Sequence, residues 1–372
     1  MGVMTRKPKG VSMAEVEAPG TGPAPSPGPA LKPERPVELA LVTVGGNKEL
    51  EEPLVVYPSR KHPQAVAIRP SDLDELRGLE FLNDKLMDFY LLYITHQLSP
   101  GRGDRVHIFN TFFYTKLVQR ERSAQEEKDK VGPEMAAHKR VASWTSQVDL
   151  FEKDFVLVPI NKSAHWILAI VCHPGAIAGG DRDRHPGLVF LDSLGGRHEV
   201  SANVLTDYLT LEYHVKKLGL ATDGTDGYVQ PKNLEPNFKD KAVVPVAYPH
   251  VPRQVNGVDC GLFMCHYAEK FVEAALPAVL VPRGKQRQKG TKGEGGTWPY
   301  CFRRDWFPPD EASQKRGKLL QLLLEILREE EEEEEAEAEA EGGGGPVGDM
   351  ASLLPSPDSP CRTPGPSHHT CM

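Results

Sequence analysis

Three short apolar runs constrain the fold more than anything else in this chain: FVLVPI at 155–160, WILAIV at 166–171 and LVFLD at 188–192. Each is rich in β-branched or aromatic residues, too short for a packed helix, and bounded by turn-forming residues: NKSA, a Pro/Gly-rich stretch, and SLGG. They predict consecutive central strands of one sheet. Helical spacing appears elsewhere. Leu86, Tyr90, Leu91 and Ile94 mark a helix from Asn83 to about Gln97, 203–217 has the same period, and so does 261–275, with Leu262, Phe263, His266, Tyr267 and Phe271 on one side. Ser71-Asp72-Leu73-Asp74 has the form of a capping box. The fold class expected is α+β, with helices packed around a small, mainly antiparallel sheet.

The 34 Gly and 33 Pro of the 372 residues gather mostly at the two ends. Residues 1–50, with the run PGTGPAPSPGPALKPERP, offer little to bury and read as a disordered arm. From Glu329 an unbroken acidic run passes into Ala/Glu alternation, four glycines and a Ser/Pro/Thr tail, so 329–372 reads as a disordered acidic tail. Residues 51–328 are the expected folded domain. Within it, 179–184, 223–240 and 283–296 are polar and Gly-rich, and read as surface insertions.

Charge and cysteine content exclude several classes. The formal net charge is −8, much of it in the Glu run, and no basic stripe is present, which argues against a nucleic-acid partner. The longest apolar stretches, such as 319–327, fall short of the roughly 20 residues a bilayer span needs, and the N-terminus has no apolar signal core, so a soluble intracellular chain is expected. Six Cys have neither the density nor the spacing of a disulfide framework. A conspicuous Cys is therefore read first for chemistry.

QVNGVDCGLFMCHYAEKF, starting at Gln254, places Cys260 where a polar turn becomes a helix. The positive end of a helix dipole favours thiolate, and the first free amides of the helix point where an oxyanion would form. Gly261 would let a substrate backbone come close. Such a nucleophile needs a base and an orienting group. His165 opens the second predicted strand and Asp192 ends the third, so adjacent strand ends would bring the carboxylate to the imidazole and face the imidazole toward Cys260. Gln254, six residues before the thiol, is the natural side-chain donor to an oxyanion. The chain order His, Asp, Cys is the reverse of papain-like proteases, in which Cys comes first. Cys260 with Cys265 and His266 lacks a second ligand pair at metal spacing, so neither metal nor organic cofactor is expected.

With these residues the chain resembles the ubiquitin-like-specific cysteine proteases, also called sentrin- or SUMO-specific proteases: His165-Trp166 on a strand, Asp192-Ser193 at the end of the next, and Gln254 ahead of Asp259-Cys260-Gly261. LEFLNDKLMDFYLLYI (79–94) is similar to the family's leading helix. IFNTFFYTKL (108–117), KRVASWTSQVDLFEKDFVLVPIN (139–161) and DWFPPDEASQKR (305–316) are similar to the branch that trims SUMO chains. The resemblance implies a papain-like architecture in which Trp166 and Phe81 wall a slot that only a Gly-Gly tail can thread. It further implies a SUMO-deconjugating thiol isopeptidase, acting on SUMO or SUMO-conjugated proteins as a monomer in the nucleus, with the cytoplasm as a second address, and without nucleic acid or membrane. Three readings stay open beside it: a protease for another modifier such as NEDD8, an acyltransferase on the same site, and a non-catalytic modifier-binding module.

Overall fold

The three apolar runs form the centre of a five-stranded sheet. The structure, a computed structural model, describes residues 52–98, 103–119, 131–179, 184, 186–225, 229–279 and 302–342. All belong to one of two units of the chain, Asn47–Met372; the other, Met1–Gly46, lies outside the described residues. In chain order the strands are β1 (Val55–Tyr57), β2 (Val66–Ile68), β3 (Val106–Ile108), β4 (Phe155–Lys162), β5 (His165–Cys172), β6 (Gly187–Leu191) and β7 (Val246–Ala247). The helices are α1 (Pro70–Arg77), α2 (Asp84–Gln97), α3 (Phe112–Val118), α4 (Pro133–Val141), α5 (Glu199–Leu218), α6 (Cys260–Val279) and α7 (Pro309–Gly342).

Strands β1 and β2 pair as a separate antiparallel ribbon, while the main sheet has the order β3-β4-β5-β6-β7. Its central pairs, β4 with β5 and β5 with β6, are antiparallel; the short outer strands β3 and β7 join in parallel. The sheet is thus mixed. Almost every residue of β4, β5 and β6 is buried, because helices cover both faces: α2, α6 and α7 close one hydrophobic cluster, α3 and α5 the other. Continuous apolar runs, rather than alternating ones, are what a sheet buried on both sides requires.

Three local details differ from the sequence reading. Ser71 is not the cap of α1: Pro70 takes the first helical position, and Asp72 accepts from the backbone N–H of Arg69 at 2.8 Å. The segment 223–240 is not merely a surface insertion, since Phe238 is fully buried against Phe151 and its N–H donates to Thr210 Oγ1 at 3.1 Å. Helix α7 also runs on to Gly342, past the boundary expected at 328. Glu and Ala are strong helix formers, so a helix nucleated by the packed Leu319 and Leu323 propagates through them although like charges repel. The remainder of the acidic tail, the N-terminal arm and the insertion 283–296 lie outside the described residues.

The side chains of 331–333 are exposed, whereas Leu319 and Leu323 are buried. Truncation after Arg328 is therefore expected to move the melting temperature by less than about 2 °C. Leu319→Ala should cost about 2–5 kcal/mol in denaturant titration, through lost burial and the cavity left behind. A large loss on truncation would show that the acidic segment is structural.

Candidate functional site

The hairpin joining β4 to β5 delivers His165. Lys162 pairs with His165 across a two-residue turn in which Ser163 and Ala164 both take left-handed backbone, φ 54° and 58°. Such φ values at non-glycine residues cost on the order of 1–2 kcal/mol each. The eight-pair ladder behind the turn outweighs that cost and fixes the ring at the sheet's end.

Asp192 follows the last residue of β6. Its Oδ1 lies 2.7 Å from His165 Nε2 and accepts from the Leu194 N–H at 2.8 Å; Oδ2 accepts from the Gly196 N–H at 2.7 Å and lies 2.9 Å from His198 Nε2. A Cβ at Gly196 would sit 2.8 Å from that carboxylate, so only glycine lets the turn fold back onto it. Burial by itself would raise the Asp192 pKa. The hydrogen bonds from His165, His198 and the two amides outweigh it and hold the carboxyl well below the usual carboxylate range.

With Nε2 committed to Asp192, the other ring nitrogen of His165 is left to face the thiol. The hydrogen bonds to Asp192 first, and then to Cys260, raise the His165 pKa to about 9 despite partial burial. Cys260 is the first residue of α6 and is itself 1% exposed. The other described thiols are different. Burial pushes Cys265 up to about 12 and Cys172 further, and Cys265 contacts Met87 Sδ at 3.7 Å inside the core. Among the described residues no cluster of three or more His, Cys, Asp or Glu is arranged to hold a metal.

Gln254 is anchored at both ends of its amide: Oε1 accepts from the Ser193 hydroxyl, and Nε2 donates to the Asn256 carbonyl at 2.7 Å. Trp166 is buried and Phe81 is half exposed. The space beside Gly261 is filled from within the chain, since an added Cβ would meet Met87 Sδ at 3.0 Å and Trp166 Cδ1 at 3.3 Å. The glycine thus lets the indole lie against the start of α6. Leu194 and Val255, which follow Ser193 and Gln254 in the chain, are exposed.

Sequence reasoning missed His198, whose place beside Asp192 depends on the fold-back after SLGG, and the Ser193 hydroxyl on Gln254. It also missed the anchoring of Asp259, the residue before the thiol. Asp259 is buried, and its carboxylate accepts from Asn256 Nδ2 at 2.8 Å, Ser313 Oγ at 2.7 Å and Arg316 Nη2 at 3.2 Å. The D-C-G string was the only signal available, and it says nothing of α7.

A thiol at a helix start, an imidazole and carboxylate at neighbouring strand ends, and an α+β scaffold define the papain-like cysteine protease architecture. A crystal structure described as the de-sumoylating protease shares the fold, with a TM-score of 0.52 at 21% identity over 75% of this chain and 93% of that one. Residues 80–281 match the Ulp1 protease family, C-terminal catalytic domain, and the chain belongs to that family. It is 34% identical over 276 residues to the probable ubiquitin-like-specific protease 2A of Arabidopsis thaliana, covering 73% of this chain and 32% of that protein. It is 46% identical over 125 residues to sentrin-specific protease 6 of Mus musculus, covering 33% and 11%. Ubiquitin-like-specific protease 2 of Schizosaccharomyces pombe is 31% identical over 251 residues, covering 59% and 35%. The chain spans about a third or less of the length of the first curated relatives it matches.

Proposed function

We propose that this chain is a cysteine isopeptidase that removes SUMO from lysine side chains, with SUMO chains among its substrates. The observation that carries the reading is the single imidazole of His165 joined to Asp192 at 2.7 Å on one side and to the Cys260 thiol on the other. Family membership and sentrin-specific relatives supply the modifier.

In this reading His165 holds the proton of Cys260, and Asp192 orients and stabilises the imidazolium. The thiolate attacks the carbonyl carbon of the modifier's last glycine, forming a C–S bond. The free hydrogen of the Gln254 amide and the Cys260 N–H hold the oxyanion. Collapse breaks the bond to the lysine Nε, which leaves with the proton from His165. Water, deprotonated by His165, then releases the thioester as carboxylate and returns the thiol. Trp166 and Phe81 wall the approach. Because Cys260 is buried, a strand without side chains fits it best, and Gly-Gly is such a strand. A catalytic domain of residues 51–328, beyond which α7 continues to Gly342, together with nuclear placement and a monomeric state, completes the proposal.

Wild type and Cys260→Ala, each mixed with electrophilic probes bearing the C-terminal tails of SUMO, NEDD8 and ubiquitin, test it by mass shift. A SUMO adduct on wild type alone is expected. A NEDD8 adduct without SUMO would change the modifier, and no adduct on folded protein would favour acyl transfer or simple binding.

His198 is a supporting contact in this scheme. His198→Ala should cost about 1.5–3 kcal/mol in chemical denaturation, the usual range for a hydrogen bond to a charged group. Its effect on kcat should stay below about tenfold, since the bonds from His165, Leu194 and Gly196 to Asp192 remain. A kcat loss matching that of His165→Ala would make His198 part of the proton transfer.

A further inference from the structure

Helix α7 reaches the site through one buried cation. The guanidinium of Arg316 donates from Nη1 to the Glu75 carbonyl at 2.6 Å, and from Nη2 to the Glu80 carbonyl at 2.9 Å and to Asp259 Oδ1 at 3.2 Å. Two of these acceptors belong to the segment that ends at Phe81; the third belongs to the residue before Cys260. Each side is otherwise independently tied down. Asn83 N–H donates to Glu75 Oε2 at 2.8 Å behind Phe81, and Asn256 Oδ1 accepts from the Asp259 N–H at 3.0 Å within the turn before the thiol. Among the described contacts, Arg316 is the group that joins the two segments directly, and Ser313, one turn earlier on α7, adds a second hold on Asp259.

We infer that Arg316 is a positioning residue that sets the gap between Phe81 and Cys260, so that α7 tunes acceptance of the modifier tail without touching the reacting atoms. The inference rests on the isopeptidase reading above. Its physical basis is shape. A planar guanidinium presents several donors in a rigid fork, and it satisfies two carbonyls and a carboxylate at once in directions that a lysine ammonium cannot reproduce. The thiol's own activation belongs to His165 and Asp192, which Arg316 does not contact. Loosening this clamp should therefore leave the thiolate as reactive as before while displacing the wall past which the tail must pass. Displacements near 1 Å are enough to cost about 10²-fold in an oriented reaction.

The test compares wild type, Arg316→Lys and Ser313→Ala in the full chain, the last as a milder variant should the first fold poorly. Three quantities are read: acylation by the electrophilic SUMO-tail probe, alkylation of Cys260 by iodoacetamide as a function of pH, and melting temperature. In Arg316→Lys, tail acylation is expected to fall about 10²-fold, while the alkylation rate and its pH midpoint stay within about twofold of wild type. Ser313→Ala should show the same selective loss at about 3–10-fold, the range of one ordinary hydrogen bond, since Arg316 still holds Asp259. A proportional fall in both reactions, or tail acylation unchanged in both variants, overturns the positioning role and leaves the clamp as scaffold. Absence of any SUMO-tail adduct on wild type that iodoacetamide still alkylates overturns the isopeptidase reading itself, and is told apart by that wild-type arm.

Discussion

Cys260→Ala is expected to abolish isopeptidase turnover, lowering kcat by about five orders of magnitude or more, with binding of the modifier retained. The size of the effect follows from the chemistry, because among the described residues no other thiol lies beside His165 to form the acyl intermediate. Removal of a covalent nucleophile typically costs about 10⁶ in kcat, the small remainder coming from binding and oxyanion contacts. Cys265, five positions on, cannot substitute. It faces Met87 in the core, and burial holds its thiol near 12. Stability should change little, since Ala differs from Cys by a single sulfur atom and suits the first position of α6. The measurement is hydrolysis of a SUMO-tail fluorogenic substrate alongside equilibrium binding of the modifier. Residual activity within tenfold of wild type would remove Cys260 from the mechanism.

The parts of this site that the sequence made legible are those fixed by local periodicity. Strands β4, β5 and β6 announce themselves as buried apolar runs, and a two-residue turn between the first pair leaves no freedom about where His165 stands. The position of Asp192 follows, because β6 pairs antiparallel with β5 and ends with Leu191 opposite Leu168. What stayed hidden depends on tertiary context. Strands β3 and β7 have three and two residues and pair in parallel, so no alternation can mark them; they add parallel edges to a sheet that is mainly antiparallel through its long central pairs, as expected. Arg316 lies 57 positions from the Asp259 it holds, and no local pattern in the sequence links the two. The glutamates after Arg328 are ambiguous for another reason: an acidic run repels itself when isolated, but a helix already anchored by Leu319 and Leu323 needs only favourable propensity to continue.

Asp192→Asn is the second large effect. The substitution keeps the shape and the oxygen that accepts from the Leu194 or Gly196 amide, but it removes the charge that His165 and His198 share. An asparagine amide can present its N–H to His165 Nε2, which forces the imidazole into the tautomer carrying its proton on the nitrogen that faces Cys260. That ring can no longer accept the thiol's proton. In a serine protease triad the equivalent change costs about 10⁴ in kcat, and a loss of similar size is expected here. The pH profile gives an independent sign. His165 is raised to about 9, first by Asp192 and then by Cys260, so the imidazolium that pairs with thiolate persists through neutral pH and is lost as pH climbs through about 9. Wild-type kcat/KM should therefore hold across neutrality and decline on an alkaline limb near that value. In Asp192→Asn the leading cause of the rise is gone, and the limb should move toward lower pH as kcat falls. Because the raised His165 and the depressed Asp192 stabilise the folded state only while one is protonated and the other ionised, the variant should also lose stability at neutral pH, with the difference from wild type shrinking above the His165 pKa and again in strong acid. A limb that stays near 9 in the variant would mean that another group raises His165, and the proposed division of labour between Asp192 and Cys260 would have to be redrawn.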